Sequence, residues 1–425
     1  MPETLDAWVD YLQTLHAREI DLSLERVKTV YQRLRPAGVG FKIITVAGTN
    51  GKGSTCELLS SIYHAAGYQT GKYTSPHIIK FNERFNINRS DVSNVDLLAV
   101  LQRIENVRGD VSLTFFEFGT LAAIELFCDQ RVDVAIMEVG LGGRLDAVNI
   151  LDCDLAVVTS ISIDHVDWLG STIEEIAGEK IAIARTERPC VIAFRDPPLT
   201  MLEYCENANI PVSRLGVDYD FSRSGSDWTW RLSDPHSELI KLPLPFAQLG
   251  IQLQNASAAL TSVNLLQNSL PVPKSAMFSG VDNAHLAARR QIISREPLII
   301  VDVAHNEASI ASLVSFVKDL NYSGKAYAIC GMLKDKQIKR SFSPLIGIID
   351  EWNLVTIKTD RGADAQLIDS ILYELSDNLF SFCFTDARKA YDSVWPKLKK
   401  DDVLIVFGSF FVAGDIMSAL PISDV

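Results

Sequence analysis

The 425-residue sequence contains no apolar run near the ~20 residues a membrane helix needs. Its opening stretch, MPETLDAWVD, is acidic and lacks the apolar core of a signal peptide. The seven cysteines (Cys56, Cys128, Cys153, Cys190, Cys205, Cys330 and Cys383) include no CxxC, and their odd number rules out a fully paired disulfide framework. Reduced thiols in a cytoplasmic protein are therefore expected. Positive charge is in short supply: 40 Lys and Arg stand against 53 Asp and Glu, a net charge of -13. That balance argues against nonspecific nucleic-acid binding and against attraction to an anionic membrane. Internal repeats and low-complexity tracts are missing. So is any evident Ser-His-Asp or Cys-His pattern.

What remains is ample apolar material, 47% of residues, in a length that suggests two domains. Short β-branched runs at 42–47, 132–138, 154–159, 189–194, 298–303, 326–331, 353–357 and 402–407 read as strands. Helical patterns fall between them, among others at 53–66, 116–129, 172–184, 254–268, 307–319 and 364–375. This alternation predicts an α/β protein with largely parallel sheets. Residues 216–245 differ and read as an antiparallel hairpin. A fresh strand–helix series begins after AHLAARR, so the predicted domains are 1–285, P-loop ATPase-like with a mostly parallel sheet, and 286–425, a smaller Rossmann-like α/β domain.

The richest stretch is FKIITVAGTNGKGST at 41–55. A β-branched run enters Gly48, Gly51 and Gly53, and a helical pattern follows Lys52, Ser54 and Thr55. Strand, glycine turn and helix together point backbone N–H groups at an anion, and the lysine adds a charge for phosphate. Ser54 or Thr55 could reach a bound Mg²⁺. The strict P-loop pattern wants glycine where Val46 stands, so this is a variant loop beginning at Gly48. An acidic protein repels ATP at long range, but salt screens distant charges beyond about 8–10 Å and local contacts prevail.

Other candidates sit at strand ends, where ligands of open α/β sheets gather. Glu138 ends one apolar strand, before Gly140, Gly142 and Gly143, and either binds Mg²⁺ or caps the following turn. Asp164, His165 and Asp167 follow another; His165 is a metal ligand, a base or a structural residue. YTSPHIIKFNERF at 73–85, with Ser75, is a substrate loop or a plain connection. Lys180 lies among Glu174, Glu175 and Glu179, and composition alone favours a surface charge pair. Asp302, His305 and Asn306 precede a helix in the second domain, with Arg289 and Arg290 upstream; they hold ribose and phosphate or cap the helix.

Read together, GTNGKGST, TSPHIIKFNER, FFEFGTLAAIELF, MEVGLGGRLDAVN, SIDHVDWLG, GEKIAIAR, DVAHN, GMLKDK and VFGSF resemble, in order, the motifs of the Mur-ligase-like ATP-dependent amide ligases. Within that superfamily the match is to the folylpolyglutamate synthases of the bacterial bifunctional kind. The resemblance spans nearly the whole chain. It implies that Gly48, Thr49, Asn50, Gly51, Lys52, Gly53, Ser54 and Thr55 bind ATP phosphates, and that Ser75, Glu138 and His165 are magnesium ligands. It implies a carbamate on Lys180, which as an anion could ligate Mg²⁺ where an ammonium group would repel it. Lys52, Lys180 and His165 would form the catalytic set. Asn255, Arg289, Asp302 and His305 match nucleotide-holding residues, and the C-terminal domain would supply the glutamate site. Phe116, Arg144 and Asp146 would contact the pterin, and IDLSLERV at 20–27 resembles the segment that holds dihydropteroate. A planar pterin suits an aromatic neighbour and a carboxylate acceptor; otherwise Phe116 is core and Asp146 caps a turn.

The implied reaction is formation of an acyl phosphate from ATP and a substrate carboxylate, then attack by the amine of L-glutamate. It would make dihydrofolate from dihydropteroate and extend reduced folates. Two Mg²⁺ ions and a monovalent cation are the implied cofactors, and a monomer acting on small molecules the implied state. Two positions depart from the family: Glu307 replaces the usual proline after DVAHN, and Arg290 stands where an aromatic or aliphatic residue is common. Alternatives are a single-function folylpolyglutamate synthase, another Mur-type amide ligase, a P-loop switch or transport ATPase, and a nucleotide-binding scaffold. A peptidoglycan ligase would want a further N-terminal domain, and about forty residues precede the loop.

Overall fold

The computed structural model describes residues 1–224, 227–234, 240–243, 253–320 and 322–420. The chain divides into two compact units, one running to His285 and the other starting at Leu286 apart from a short segment outside the described residues.

In the first unit the helices are α1 (Leu5–Thr14), α2 (Glu25–Leu34), α3 (Lys52–Ala65), α4 (Asn94–Arg108), α5 (Phe115–Asp129), α6 (Val166–Leu169), α7 (Ile173–Ile181), α8 (Leu199–Asn207), α9 (Leu253–Leu265) and α10 (Lys274–Asn283). Its main sheet contains β1 (Lys42–Ala47), β2 (Thr70–Tyr73), β3 (Phe85–Ile87), β4 (Ser90–Asp91), β5 (Val134–Glu138), β6 (Leu155–Val158), β7 (Cys190–Ile192) and β8 (Val212–Arg214), in the order β4-β3-β2-β5-β1-β6-β7-β8. From β2 to β8 every pairing is parallel, and only β3 and β4 join antiparallel at one edge. β1, β5 and β6 are central and covered on both faces, which is why they read as continuous apolar runs. Trp8, Phe118, Phe127 and Tyr73 are fully buried beneath the helices; each such side chain contributes roughly 1.5–3 kcal/mol by leaving water.

The expected hairpin is a three-stranded antiparallel sheet, β9 (Tyr219–Ser224), β10 (Asp227–Leu232) and β11 (Ile240–Pro243). Parts of the 216–245 segment lie outside the described residues. Trp228 and Trp230 are buried, and the Trp230 indole N–H donates to Thr261 Oγ1 on α9 at 3.1 Å.

The second unit holds β12 (Gln291–Arg295), β13 (Leu298–Val301), β14 (Ala326–Cys330), β15 (Glu351–Val355), β16 (Phe380–Phe384) and β17 (Val403–Phe407), ordered β12-β13-β17-β14-β15-β16. All pairs are parallel except β12 with β13. Around it lie α11 (Glu307–Lys318), α12 (Ile338–Phe342), α13 (Ala365–Tyr373), α14 (Ala387–Val394) and α15 (Phe410–Ala419). Among the described residues no helix is long and apolar enough to cross a membrane.

Candidate active site

The parallel register sets the site. Val46 pairs with Glu138, and Ala47 with Val158, so three chain segments leave the sheet side by side. The glycine turn starts between Glu138 and Thr159. Gly48 has φ 148° and Gly51 φ 87°, conformations that L side chains rarely adopt. A Cβ on Gly48 would fall 1.9 Å from Thr159 Oγ1, and one on Gly51 2.6 Å from Asn255 Oδ1. The turn is thus packed between β6 and α9 and is no loose surface turn. Thr49 N donates to Ser160 O and Asn50 N to Ser160 Oγ, both at 2.9 Å. Thr49 Oγ1 donates to Ser162 O at 3.2 Å.

α3 opens on Lys52, Gly53 and Ser54, whose N–H groups a helix start leaves without helical partners. Thr55 turns back, with both its N–H and its hydroxyl donating to Gly51 O at 3.0 Å. Of the two hydroxyls weighed for a cation, Ser54 is the one not held by that bond. Lys52 Nζ curls over the turn and donates to Gly48 O at 3.0 Å and Thr49 O at 3.3 Å. A helix N-terminus, a glycine turn and an ammonium group converge at one point, as a polyphosphate requires.

Lys180 corrects the reading that composition favoured. It is buried, 4% exposed, and its Nζ donates to the same Gly48 carbonyl at 3.2 Å. Burial, reinforced by the Lys52 charge, pushes its amine down to about 7, against the pull of Asp164, Asp146 and Glu179. A surface pair does exist one residue earlier: Glu179 holds Arg144 at 2.7 Å. Lys180 shares the buried face of α7 with Ile176, Ala177 and Ile181, a helical spacing present in the sequence.

On the other side of β1, Glu138 is buried, and its Oε2 accepts from Ser75 N at 3.1 Å. Tyr73 pairs with Met137, which brings the Ser75 loop alongside β5. His165 is half-buried and takes a left-handed conformation, φ 52° and ψ 44°, at the start of α6. Such a conformation in a residue other than glycine costs about 1 kcal/mol or more. Among the described residues no three His, Cys, Asp or Glu side chains gather as a metal-holding group. The Glu138 carboxylate beside the Ser75 loop is still an oxygen donor of the kind that suits Mg²⁺, which keeps water and takes phosphate oxygens.

The pterin-side candidates lie along α5 and the loop after β5. Phe116 is half-buried, 5.8 Å from the Tyr73 ring, and so close to Gly140 that a Cβ there would meet it at 2.6 Å. Asp146 is buried and caps the turn as the plainer alternative held, accepting from Leu141 N at 2.9 Å and Val148 N at 3.0 Å. Burial raises its carboxyl to about 6 in spite of those bonds and of Lys52. Arg144 is exposed. The 20–27 segment joins this group through Arg26, which pairs with Asp21 at 3.3 Å and Glu117 at 3.1 Å. Glu117 forms the capping box of α5, next to Phe116.

In the second unit Asp302 is buried, and its carboxylate accepts from Ala304 N at 2.6 Å and Arg290 N at 2.9 Å. His305 Nδ1 lies 2.8 Å from Val303 O. Asn306 caps α11. Glu307, where the family usually has proline, is the first residue of that helix, a position that suits proline for its fixed φ and glutamate for the helix dipole. The two arginines part company: Arg289 lies over Phe410 at 5.2 Å, while Arg290 lies over Phe316 at 5.4 Å and bonds Ser312 on α11.

Sequence reasoning missed the residues that brace the glycine turn, Thr159, Ser160, Ser162 and Gln254. Gln254 Nε2 donates to Thr159 O at 3.1 Å. The polar run TSIS after an apolar strand was the available signal; its partner, about 110 residues away, was not.

Comparison with known proteins finds relatives along nearly the whole chain. The Mur ligase middle domain matches residues 46–263, and the Mur ligase, glutamate ligase domain matches residues 288–410. The dihydrofolate synthase/folylpolyglutamate synthase of Escherichia coli (strain K12) is 39% identical over 416 residues, 98% of this chain and 95% of its own length. The structure of E. coli FolC in complex with DHPP and ADP has a TM-score of 0.92 at 38% identity, over 99% of both chains. A bifunctional folylpolyglutamate synthase/dihydrofolate synthase with Mn, AMPPNP and L-glutamate bound has a TM-score of 0.89 at 38% identity, over 98% of both. Likeness this close along nearly the whole length places the chain in the dihydrofolate synthase/folylpolyglutamate synthase family of the Mur ligases.

Proposed function

We propose that the chain is an ADP-forming ligase that joins L-glutamate to dihydropteroate, giving dihydrofolate, and adds further glutamates to reduced folates. The observation that carries this reading is the convergence of Lys52 and Lys180 on the Gly48 carbonyl beside Glu138. The α3 N–H groups and Lys52 hold the ATP phosphates and neutralise the charge that builds up as the γ-phosphoryl group moves to the substrate carboxylate. This chemistry needs placement and charge more than a protein nucleophile. The acyl phosphate so formed is attacked by the glutamate amine; the new amide bond forms as the carbon–oxygen bond to phosphate breaks.

Mg²⁺ would be held by Ser75, Glu138 and His165, and it supplies charge neutralisation at the phosphates when bound. Lys180 acts as a carbamate. Its amine, lowered to about 7, is partly neutral near neutral pH and can add CO₂ with loss of one proton. This turns a buried cation that would repel a metal into an anion that attracts one. Phe116 and Arg144 face the pterin, and Asp146 shapes the loop that carries Arg144. Asn255 in the first unit, and Arg289, Asp302 and His305 in the second, are nucleotide-binding residues, a monovalent cation assists, and the enzyme works as a cytoplasmic monomer. The proposed domains are 1–285 for ATP and pteroate and 286–425 for glutamate.

The link that favours dihydropteroate as a substrate is Arg26 on Glu117, which ties the 20–27 segment to Phe116. The test is phosphate release from ATP and Mg²⁺ with and without dihydropteroate plus L-glutamate, with dihydrofolate sought by mass. Release that ignores the acid substrate would leave a switch or transport ATPase. Extension of tetrahydrofolate without dihydrofolate formation would leave a single-function synthase.

A further inference from the structure

In the second unit, beside the C-terminal ends of β14 and β15, lies an open groove of about 550 Å³. The loop after β14 is laced to the loop after β15: Lys334 N donates to Arg361 O at 2.8 Å, Ala363 N to Met332 O at 3.0 Å, and Lys334 Nζ to Asp360 O at 3.1 Å. Lys334, Lys336, Lys339 and Arg340 line the groove together with the apolar Leu367 and Ile371 of α13. Lys334, Lys339 and Arg340 are exposed, and Lys336 is buried. The carboxylates nearby are Asp335, paired with Arg361 at 3.2 Å and 3.9 Å from Lys336, and Glu374, 2.9 Å from Lys339. Four lysine and arginine groups thus line one groove on a protein whose net charge is -13.

We infer that this groove binds the oligo-γ-glutamate tail of the growing substrate, an inference that rests on the proposed ligase activity. Each γ-linked residue keeps one free carboxylate and the last keeps two, so the tail becomes more anionic at every addition. The bulk of an acidic protein repels such a chain, and only a local basic surface can hold it. The groove's mixed lining also suits it: lysines for the carboxylates, Leu367 and Ile371 for the methylenes between them. A compact phosphate would use the charges and leave the apolar wall unused. The Lys339–Glu374 pair is exposed, so exchanging Glu374 for a tail carboxylate costs little. The groove flanks the strand ends at which ligands of parallel sheets gather.

The test compares the wild type with Lys334→Gln/Lys339→Gln/Arg340→Gln, which leaves buried Lys336 and every proposed active-site residue in place. At low salt, KM for triglutamyl tetrahydrofolate should rise about five- to tenfold, from the loss of three exposed charges. KM for dihydropteroate, which carries no glutamate, and kcat for both substrates should stay as they are. Isothermal titration with tri-γ-glutamate alone should show binding to the wild type, lost in the triple variant and weakened by salt. Equal shifts for both substrates, no shift for the triglutamate, or pyrophosphate binding as tightly as tri-γ-glutamate would overturn the inference. If the wild type makes no dihydrofolate and extends no folate, the ligase reading fails, and the titration alone decides the groove: loss in the triple variant supports it, no binding to the wild type refutes it.

Discussion

Lys180 in the first unit is buried beside a second ammonium group, whereas Lys334 and Lys339 in the second unit stand in water. Their formal charge is the same. Burial makes the first an amine poised near neutrality, able to react; the others are long exposed side chains, fit only to attract. The first unit also supplies backbone N–H groups at fixed positions, through glycines that admit no side chain, while the groove offers long, movable side chains. A transition state needs the first kind of surface and a tail of variable length needs the second.

Breaking the rigid side of this comparison should have the largest effect. Lys52→Ala should lower kcat by about a thousandfold or more, at about 1.4 kcal/mol per tenfold, with the thermal unfolding midpoint little changed. Steady-state ligation by a folded variant decides it, and near-normal turnover would sink the phosphate-site assignment.

Lys180→Ala should be nearly inactive and partly restored by short carboxylates such as acetate. Wild-type rates in this variant, or no carbamate mass on Lys180 in the native protein, would refute the carbamate. The same residue carries a stability signature. Its folded value, about 7, lies below the ordinary 10.5, so between these values the unfolded chain binds more protons. The penalty of burying Lys180 is therefore full below about pH 7 and is relieved as pH rises towards 10.5. In CO₂-free buffer, Lys180→Met should unfold at a higher temperature than the wild type at pH 6, and the gap should narrow by pH 9.

A smaller effect is expected from the cation ligands. Glu138→Gln and His165→Ala should each raise the Mg²⁺ concentration for half-maximal activity by about tenfold, since few protein ligands share the load. Unchanged Mg²⁺ dependence in both variants would move the metal site elsewhere.

The finest effect is one of selectivity. Asp146→Ala removes the cap on Leu141 N and Val148 N and loosens the loop against Phe116. Dihydrofolate formation should fall more than glutamate addition to tetrahydrofolate, measured side by side. An equal loss of both would assign Asp146 a purely structural role.

The central elements were legible because burial on two faces writes them as unbroken apolar runs: β1 runs from Lys42 to Ala47, as read. Short edge strands such as β4 and β16 escaped, since two to five residues with exposed side chains leave no pattern. The glycine turn and the sheet-end acids could be found, because their residue types are tied to local chemistry. The burial of Lys180 could not be found from composition, though it shares a face with Ile176 and Ile181; a charged residue on that face was credited to solvent. Contacts such as Gly48 on Thr159 or Arg26 on Glu117 depend on topology, which a single sequence records only weakly.

The register of β1 has a consequence for how this chain can vary. Because Val46 faces Glu138 on one side and Val157 on the other, one residue inserted between Thr45 and Gly51 would reverse the facing of the strand end and push the turn into Thr159 or Asn255. No slack exists on either flank to absorb it. The link between α2 and β1, at the other end of the same strand, has no such neighbours: a side chain on Gly40 would meet nothing within 4 Å. Length variation should be almost forbidden in the first place and tolerated in the second, so natural or engineered insertions would trace the phosphate edge by avoiding it.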